Sequence, residues 1–147
     1  MAASFQIETA NWHDLNPLRQ VEKECFGEEA WPLWDLIAVL TFPNITRLKA
    51  VVDGKMVGFV GGDPKPSEGV GWITTLGVLP AYRKQGIAKA LLAACEEQMG
   101  LPRVKLSVRR SNVAAIHLYA NAGYNQTGVW PRYYYGGEDA LVLEKKR

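Results

Sequence analysis

The chain reads as an α/β (α+β) protein built on a mixed, largely antiparallel seven-stranded sheet with about four helices on its two faces. Three observations lead there. The apolar periodicities change along the chain in the order β-α-α-β-β-β-α-β-α-β-β, which alternates strand and helix without a long all-helical or all-strand stretch. Asp53-Gly54 sits between two apolar strand-like runs, a pattern that favours a tight hairpin. A strand, a basic glycine-containing turn and a helix then follow one another over residues 72–99. No internal repeat, low-complexity tract or linker interrupts the 147 residues. Residues 1–147 are therefore expected to form one domain, long enough to bury about two thirds of the unfolded surface.

Each element has its own signal. In residues 5–8, Phe5 and Ile7 alternate with Gln6 and Glu8, as in a short strand. Asn11 is placed to cap a helix whose face carries Leu15, Leu18, Val21, Glu22 and Cys25, ending near Phe26-Gly27. Glu22 is expected at the edge of that face. Trp31-Pro32 opens a second helix with the stripe Leu33, Leu36, Ile37 and Leu40, stopped by Phe42-Pro43. The joint at residues 26–31 mixes aromatics, acids and glycine, which suits either a plain loop or the lining of a substrate cleft. Residues 48–52 and 56–60 form the hairpin around Asp53-Gly54. Residues 61–69, with Pro64 and Pro66, read as a flexible connection to the central strand at 72–79.

The helix after Gly86 has Ile87, Leu91, Ala94 and Cys95 on one face and runs to about Met99-Gly100. Residues 104–108 form a fifth strand, followed by Arg109-Arg110. Ser111-Asn112 can cap a last helix with Ala115, Ile116, Tyr119 and Ala122 inward, stopped by Gly123. Residues 124–129 and 140–143 read as two closing strands, joined by the aromatic segment 130–137.

Composition excludes several classes. With 48% hydrophobic and 22% charged residues, the chain is an ordinary globular one. A net charge of +2 is too small to call for nucleic acid or a membrane surface, though it leaves room for a local basic patch facing an anion. No apolar run approaches the roughly 18 residues of a membrane span. The first ten residues carry neither a charged n-region nor an apolar h-region, so a cytoplasmic protein is expected. Cys25 and Cys95 are the only cysteines, and with His13 and His117 isolated, neither a disulfide framework nor a metal site is expected.

The stretch LGVLPAYRKQGIAKALL, residues 76–92, carries the chemistry. A turn between strand and helix leaves unpaired backbone N–H groups on the positive end of the helix dipole, which suits a phosphate or pyrophosphate. Gly86 lets an anion approach the backbone, and Ala88 keeps the first helical turn thin. A tight turn before a solvated helix start would look the same from these residues alone. Neither the dinucleotide-binding G-x-G-x-x-G nor the P-loop G-x-x-x-x-G-K-[ST] occurs in the chain.

The order L-G-V-x-P, then R-x-x-G-x-A at Arg83, Gly86 and Ala88, then an Ala/Leu helix, resembles the coenzyme A pyrophosphate loop of the GNAT acyltransferase superfamily. A second stretch, LSVRRSNVAAIHLYANAGY at residues 106–124, resembles the second half of the same core. The resemblance covers nearly the whole chain. It implies acetyl-CoA as co-substrate, its pantetheine held by the backbone of Leu76, Gly77 and Val78 and its pyrophosphate by Arg83, Lys84, Gln85, Gly86, Ile87 and Ala88. It further implies that Asn112 contacts pantetheine and that Tyr119 is the general acid facing the sulfur. Read without it, Asn112 is a helix cap and Tyr119 a core aromatic.

Towards the C-terminus, RYYYGGEDALVLEK resembles the branch that acetylates protein N-termini, including the ribosomal-protein S18 alanine N-acetyltransferases. That implies substrate contacts from Phe26, Gly27 and Glu28 and from Tyr133 and Tyr134. Tyr133 to Tyr135 also fit a sheet edge packed on the core. The expected acceptor is a protein or peptide N-terminus, with a small amine (a polyamine, an amino acid or an aminoglycoside) as the alternative. A domain that binds coenzyme A without turnover is the reading from another class. The protein itself is expected to act as a monomer or homodimer.

The general base departs from the family pattern. The family's strand-borne Glu or His falls on Ser107 here, and the assisting Tyr falls on Trp72; neither accepts a proton near neutral pH. An α-amine with a pKa of about 7.7 to 8.0 is partly neutral at pH 7, whereas a lysine at about 10.4 is almost wholly charged. Loss of the base therefore costs an N-terminal acceptor far less, with water or a carboxylate such as Glu28 left to take the proton. His117 lies about 200° round the helix from Tyr119 and is expected on the surface. Glu138 and Asp139 suit either a substrate ammonium or an ordinary polar turn.

Overall fold

The computed structural model describes residues 4–147; the first three residues, which open the segment read above as free of a leader, lie outside the described residues. Seven strands form a sheet in the order β1-β2-β3-β4-β5-β7-β6. All pairs given by register are antiparallel except β4 with β5, which run parallel from Val70↔Arg103 to Trp72↔Lys105. The residues gather into two compact units.

The first unit takes residues 4–64 and Ile73–Gly100. It holds β1 (Gln6–Thr9), α1 (Leu15–Phe26), α2 (Leu33–Thr41), β2 (Thr46–Val52), nearly all of β3 (Lys55–Lys65), the later part of β4 (Val70–Val78) and α3 (Ile87–Met99). Asn11 does act as a cap, but of a 3-10 turn, Trp12–Asp14, that leads into α1: its side chain accepts from His13 N while Asp14 accepts from Asn11 N. Leu18 and Val21 of α1 are buried, with Leu36, Val39 and Leu40 of α2. Leu33, expected on the α2 stripe, is 40% exposed, and Val39 is buried in the unit.

The hairpin forms with a two-residue turn in which Asp53 and Gly54 both have positive φ, 49° and 77°, pairing Val52 with Lys55. Residues 61–65 are strand, not the flexible connection read from their composition. Their glycines answer to packing. A Cβ on Gly61 would stand 2.9 Å from Thr74 Oγ1, and one on Gly62 would stand 2.7 Å from Cys95 Sγ and 2.8 Å from Met99 Sδ. Only the short 3-10 turn Pro66–Glu68 then connects to β4.

The second unit takes Lys65–Trp72 and Leu101–Arg147. It contains the start of β4, β5 (Arg103–Arg109), α4 (Val113–Asn121), β6 (Asn125–Trp130) and β7 (Ala140–Lys146). Along β5, Val104, Leu106 and Val108 are buried while Lys105, Ser107 and Arg109 are partly exposed. That period of two puts Ser107 and Arg109 on the same face of the strand. No helix among the described residues is long and apolar enough to cross a membrane.

Candidate active site

In the first unit, β4 ends at Val78 and a 3-10 turn, Pro80–Tyr82, carries the chain to α3. Arg83 folds back, its Nε donating to the Val78 carbonyl at 2.9 Å, and the Cys25 thiol donates to the same oxygen at 3.3 Å. Lys84 and Gly86 adopt positive φ, 64° and 83°. Gly86 is the N-cap of α3 and no side chain caps that end, so the first-turn N–H groups have no acceptor within the helix. Space is open at Gly86, where a Cβ would meet nothing within 4 Å. Gln85 adds a buried side-chain oxygen with no hydrogen-bond partner, an acceptor suited to an N–H or O–H donor of a ligand. A loop with an uncapped helix start, two cationic neighbours in Lys84 and Lys89, and an unsatisfied acceptor fits a pyrophosphate joined to an amide-bearing arm.

The same unit fastens the loop after α1. A Cβ on Gly77 would meet Cys25 Sγ at 3.0 Å and Phe26 Cε2 at 3.5 Å, so the C-terminal end of α1 presses directly on β4. Phe26 is half-buried, while Gly27 and Glu28 lie exposed in the 3-10 turn Gly27–Glu29. Glu22, expected at the edge of its helix face, is instead 2% exposed. Its Oε1 accepts from Trp31 N at 3.1 Å and its Oε2 from Thr75 Oγ1 at 3.0 Å, which ties α1 to the loop and to β4. Burial raises the Glu22 pKa against the pull of these two hydrogen bonds. Desolvation likewise raises the Cys25 thiol and pushes Cys95 up to about 12. A separate cleft of about 510 Å³ runs along α1 and α2, lined among others by Arg19, Lys23 and Trp31; of the residues expected at the site it includes only Gly27.

In the second unit, Asn112 caps α4, its Oδ1 accepting from Ala115 N at 3.2 Å. Tyr119 is 8% exposed and packs edge-on against Tyr124, with centroids 5.7 Å apart. Burial first, and then the nearby Tyr134, raise the Tyr119 phenol. His117 is exposed. Ser107 accepts a hydrogen bond from Tyr134 Oη at 3.2 Å. Arg109 lies over the Tyr134 ring at 4.5 Å and its Nη1 donates to Glu138 Oε1 at 2.9 Å. Glu138 Oε2 accepts from Ser111 N at 2.7 Å; these bonds, chiefly those from Ser111 and Arg109, hold its carboxyl below the usual range.

An aromatic chain continues from there. Tyr134 meets Tyr133 at 5.1 Å, Tyr133 meets Trp130 at 5.0 Å, and Trp130 stacks on Trp72 at 5.9 Å. Tyr133 remains exposed and Tyr135 is 95% exposed, so these two are not packed on the core. Three features escaped the sequence: the Glu22 link, the fastening of Tyr134 by Arg109 and Glu138, and the Tyr134–Ser107 bond. Each depends on a contact between residues distant in the chain; the sequence singled out Glu22, Ser107 and Glu138 one by one, without the partners that tie them together.

The sequence profile described as the acetyltransferase (GNAT) family matches residues 10–124. The chain belongs to the GNAT acetyltransferase family. Among similar GNAT proteins, the N-terminal acetyltransferase A complex catalytic subunit NAA10 of Arabidopsis thaliana is 34% identical over 146 residues, covering 95% of this chain and 76% of that protein. Solved structures share the GNAT fold. The ribosomal-protein-S18-alanine N-acetyltransferase of Escherichia coli has a TM-score of 0.87 at 24% identity, covering 97% of this chain and 94% of that one. Arabidopsis thaliana NAA60 in complex with acetyl-CoA has a TM-score of 0.86 at 25% identity, covering 98% and 100%.

Proposed function

We propose that this GNAT acetyltransferase moves an acetyl group from acetyl-CoA to the α-amino group of a protein or peptide N-terminus. The observation that carries the choice of acceptor is the fastening of the β6–β7 tyrosines. Arg109 and Glu138 fix Tyr134 on Ser107 of β5, and an aromatic chain through Tyr133 and Trp130 reaches Trp72. A surface fastened in this way suits an extended chain end lying along it. The relative named above as an N-terminal acetyltransferase A complex catalytic subunit supports an N-terminal acceptor.

When bound, acetyl-CoA supplies an acetyl group on a thioester, to be attacked directly by a neutral amine. In the first unit the backbone of Leu76, Gly77 and Val78 would hold the pantetheine arm, and Arg83, Lys84, Gln85, Gly86, Ile87 and Ala88 the pyrophosphate. In the second unit Asn112 would contact the arm and Tyr119 would protonate the departing sulfur. Burial holds its phenol protonated at neutral pH, so a proton is in place when the thiolate forms, while the same burial makes the phenol a weaker acid. Phe26, Gly27 and Glu28, with Tyr133 and Tyr134, would hold the acceptor chain. An α-amine lies roughly 2.5 pKa units below a lysine, worth about 3.4 kcal/mol of deprotonation that no enzyme base has to supply. The whole chain is read as one such domain. Its free thiols Cys25 and Cys95 go with a reducing compartment such as the cytosol.

Thiol release from acetyl-CoA over peptides of varied first residue, spermidine and free amino acids tests the reading, with mass spectrometry locating the acetyl group. Release with peptides, acetylated on the α-nitrogen, is expected. Release confined to spermidine or amino acids moves the acceptor to a small amine. Coenzyme A binding with no release from any acceptor leaves a binding domain.

A further inference from the structure

We propose that the Tyr134 hydroxyl, held on Ser107, receives the acceptor amine and carries off its surplus proton, in place of the missing strand-borne base. The inference rests on the N-terminal acetylation reading and assigns the proton path within it. Ser107 occupies the β5 position where a base is expected from the family pattern, and an aliphatic hydroxyl cannot act as one. The structure delivers a second hydroxyl to that spot, at 3.2 Å.

Tyr134 is fixed from several sides. Its N–H donates to Glu138 O at 3.1 Å and its carbonyl accepts from Gly137 N at 3.0 Å, which closes the turn that carries it. The Arg109 guanidinium covers its ring at 4.5 Å and is itself anchored on Glu138. Tyr133 abuts the ring edge-on at 5.1 Å. So immobile a phenol positions its oxygen without further entropy loss on binding. Between the two hydroxyls the phenol is the stronger donor, so Tyr134 gives its proton to Ser107, and a phenolic oxygen that donates still accepts through its lone pairs. An amine N–H therefore has an acceptor there. The cation over the ring disfavours a second proton resting on that oxygen.

The step balances as follows. The neutral nitrogen attacks the acetyl carbon; the C–N bond forms and the C–S bond breaks, its electron pair going to sulfur, which takes the Tyr119 proton. The nitrogen, now one proton in excess, passes it to Tyr134 Oη as Tyr134 passes its own to Ser107 Oγ and the partly exposed Ser107 releases one to water. Tyr119 recovers a proton from solvent. Both relay hydroxyls end protonated, so no enzyme group need be ionised beforehand. The acid limb of the pH profile then belongs to the peptide's α-amine.

The test compares wild type with Tyr134→Phe, Ser107→Ala, Ser107→Thr and the double variant Ser107→Ala/Tyr134→Phe on an acetylated-in-assay peptide series. Thermal unfolding and coenzyme A affinity, read by calorimetry, report fold and cofactor binding apart from turnover. Tyr134→Phe should lower kcat on the order of 100-fold, with a smaller rise in KM from the lost contact to the amine and with coenzyme A affinity within about twofold. Ser107→Ala, acting only through Tyr134, should lose roughly tenfold; Ser107→Thr, which keeps the hydroxyl, should restore most of it; and the double variant should be no worse than Tyr134→Phe. Across peptides of different α-amine pKa, the acid limb should move with the peptide. A kcat within about threefold of wild type in Tyr134→Phe overturns the inference, as does an acid limb that stays put when the peptide changes, which would mark an enzyme carboxylate as base. If wild type itself transfers to no peptide, the acceptor reading fails; an active wild type with a normal Tyr134→Phe sinks only the relay.

Discussion

Glu22 has left water almost entirely, at 2% exposure, on a helix face otherwise made of Leu18 and Val21. Each of its two oxygens has a partner, Trp31 N and Thr75 Oγ1, the second lying 53 residues on. Removing the carboxyl in Glu22→Ala would leave the buried Thr75 hydroxyl and the partly buried Trp31 N–H without their acceptor, and should cost about 1–3 kcal/mol of stability. Glu22→Gln keeps an acceptor and removes the titration. Burial raises the folded-state pKa above about 4.5, so the native state binds this proton more tightly than the unfolded chain does. The stability it contributes is therefore complete below that pH and is lost as pH rises through the raised value. Glutamine contributes no such slope. The melting temperature of Glu22→Gln should accordingly gain on wild type as pH is raised from 4.5 upwards, measured in matched buffers; a constant difference would mean the carboxyl is not desolvated as the structure has it. Sequence could place Glu22 on its face from periodicity, but the two partners that make burial tolerable are not local.

At the level of elements, what could be read depended on how local the cause was. The Asp53-Gly54 hairpin was legible because the turn's positive φ angles are demanded by its own two residues. The Asn112 cap and the strand-turn-helix order around Gly86 are local in the same sense. Gly61 and Gly62 were misread as a flexible connection because glycine required by a neighbour looks, in sequence, like glycine required by a turn. Here the neighbours are Thr74 and Val39 for one, and Cys95 and Met99 of α3 for the other. Gly62→Ala tests this. A methyl 2.7 Å from Cys95 Sγ forces the buried Cys95 and Met99 side chains, or the elements that carry them, to give way, and overpacking of this kind should destabilise the protein by about 1–3 kcal/mol. Chemical denaturation would show it as a lower midpoint with an unchanged slope. If residues 61–65 were instead a loose connection, the alanine would be neutral or slightly stabilising through the unfolded chain.

For the whole molecule, the expected cofactor residues are mostly contiguous, residues 76–88, which is why a single stretch of sequence could announce them. The residues expected to meet the acceptor, Phe26 to Glu28 and Tyr133-Tyr134, come from stretches more than a hundred residues apart in the chain, and a bond such as Tyr134 to Ser107, across 27 residues, has no signature in the sequence. The cofactor reading makes a prediction for the folded molecule as a whole. A ligand that binds only the native state stabilises it by RT ln(1 + [L]/Kd), about 2.7 kcal/mol when it is present at 100 times its Kd. Coenzyme A should therefore raise the melting temperature in a concentration-dependent way. Gly86→Ala separates this effect from backbone strain. Gly86 has φ +83° and Gly54 has φ +77°, and a Cβ at either meets nothing within 4 Å, so alanine should cost the unliganded protein a similar amount, about 1–2 kcal/mol, at both sites. Only at Gly86 would the methyl occupy the approach to the α3 N-terminus. The rise produced by coenzyme A should stay intact in Gly54→Ala and shrink or vanish in Gly86→Ala. Equal rises in the two variants would show that the pyrophosphate is not held at this turn.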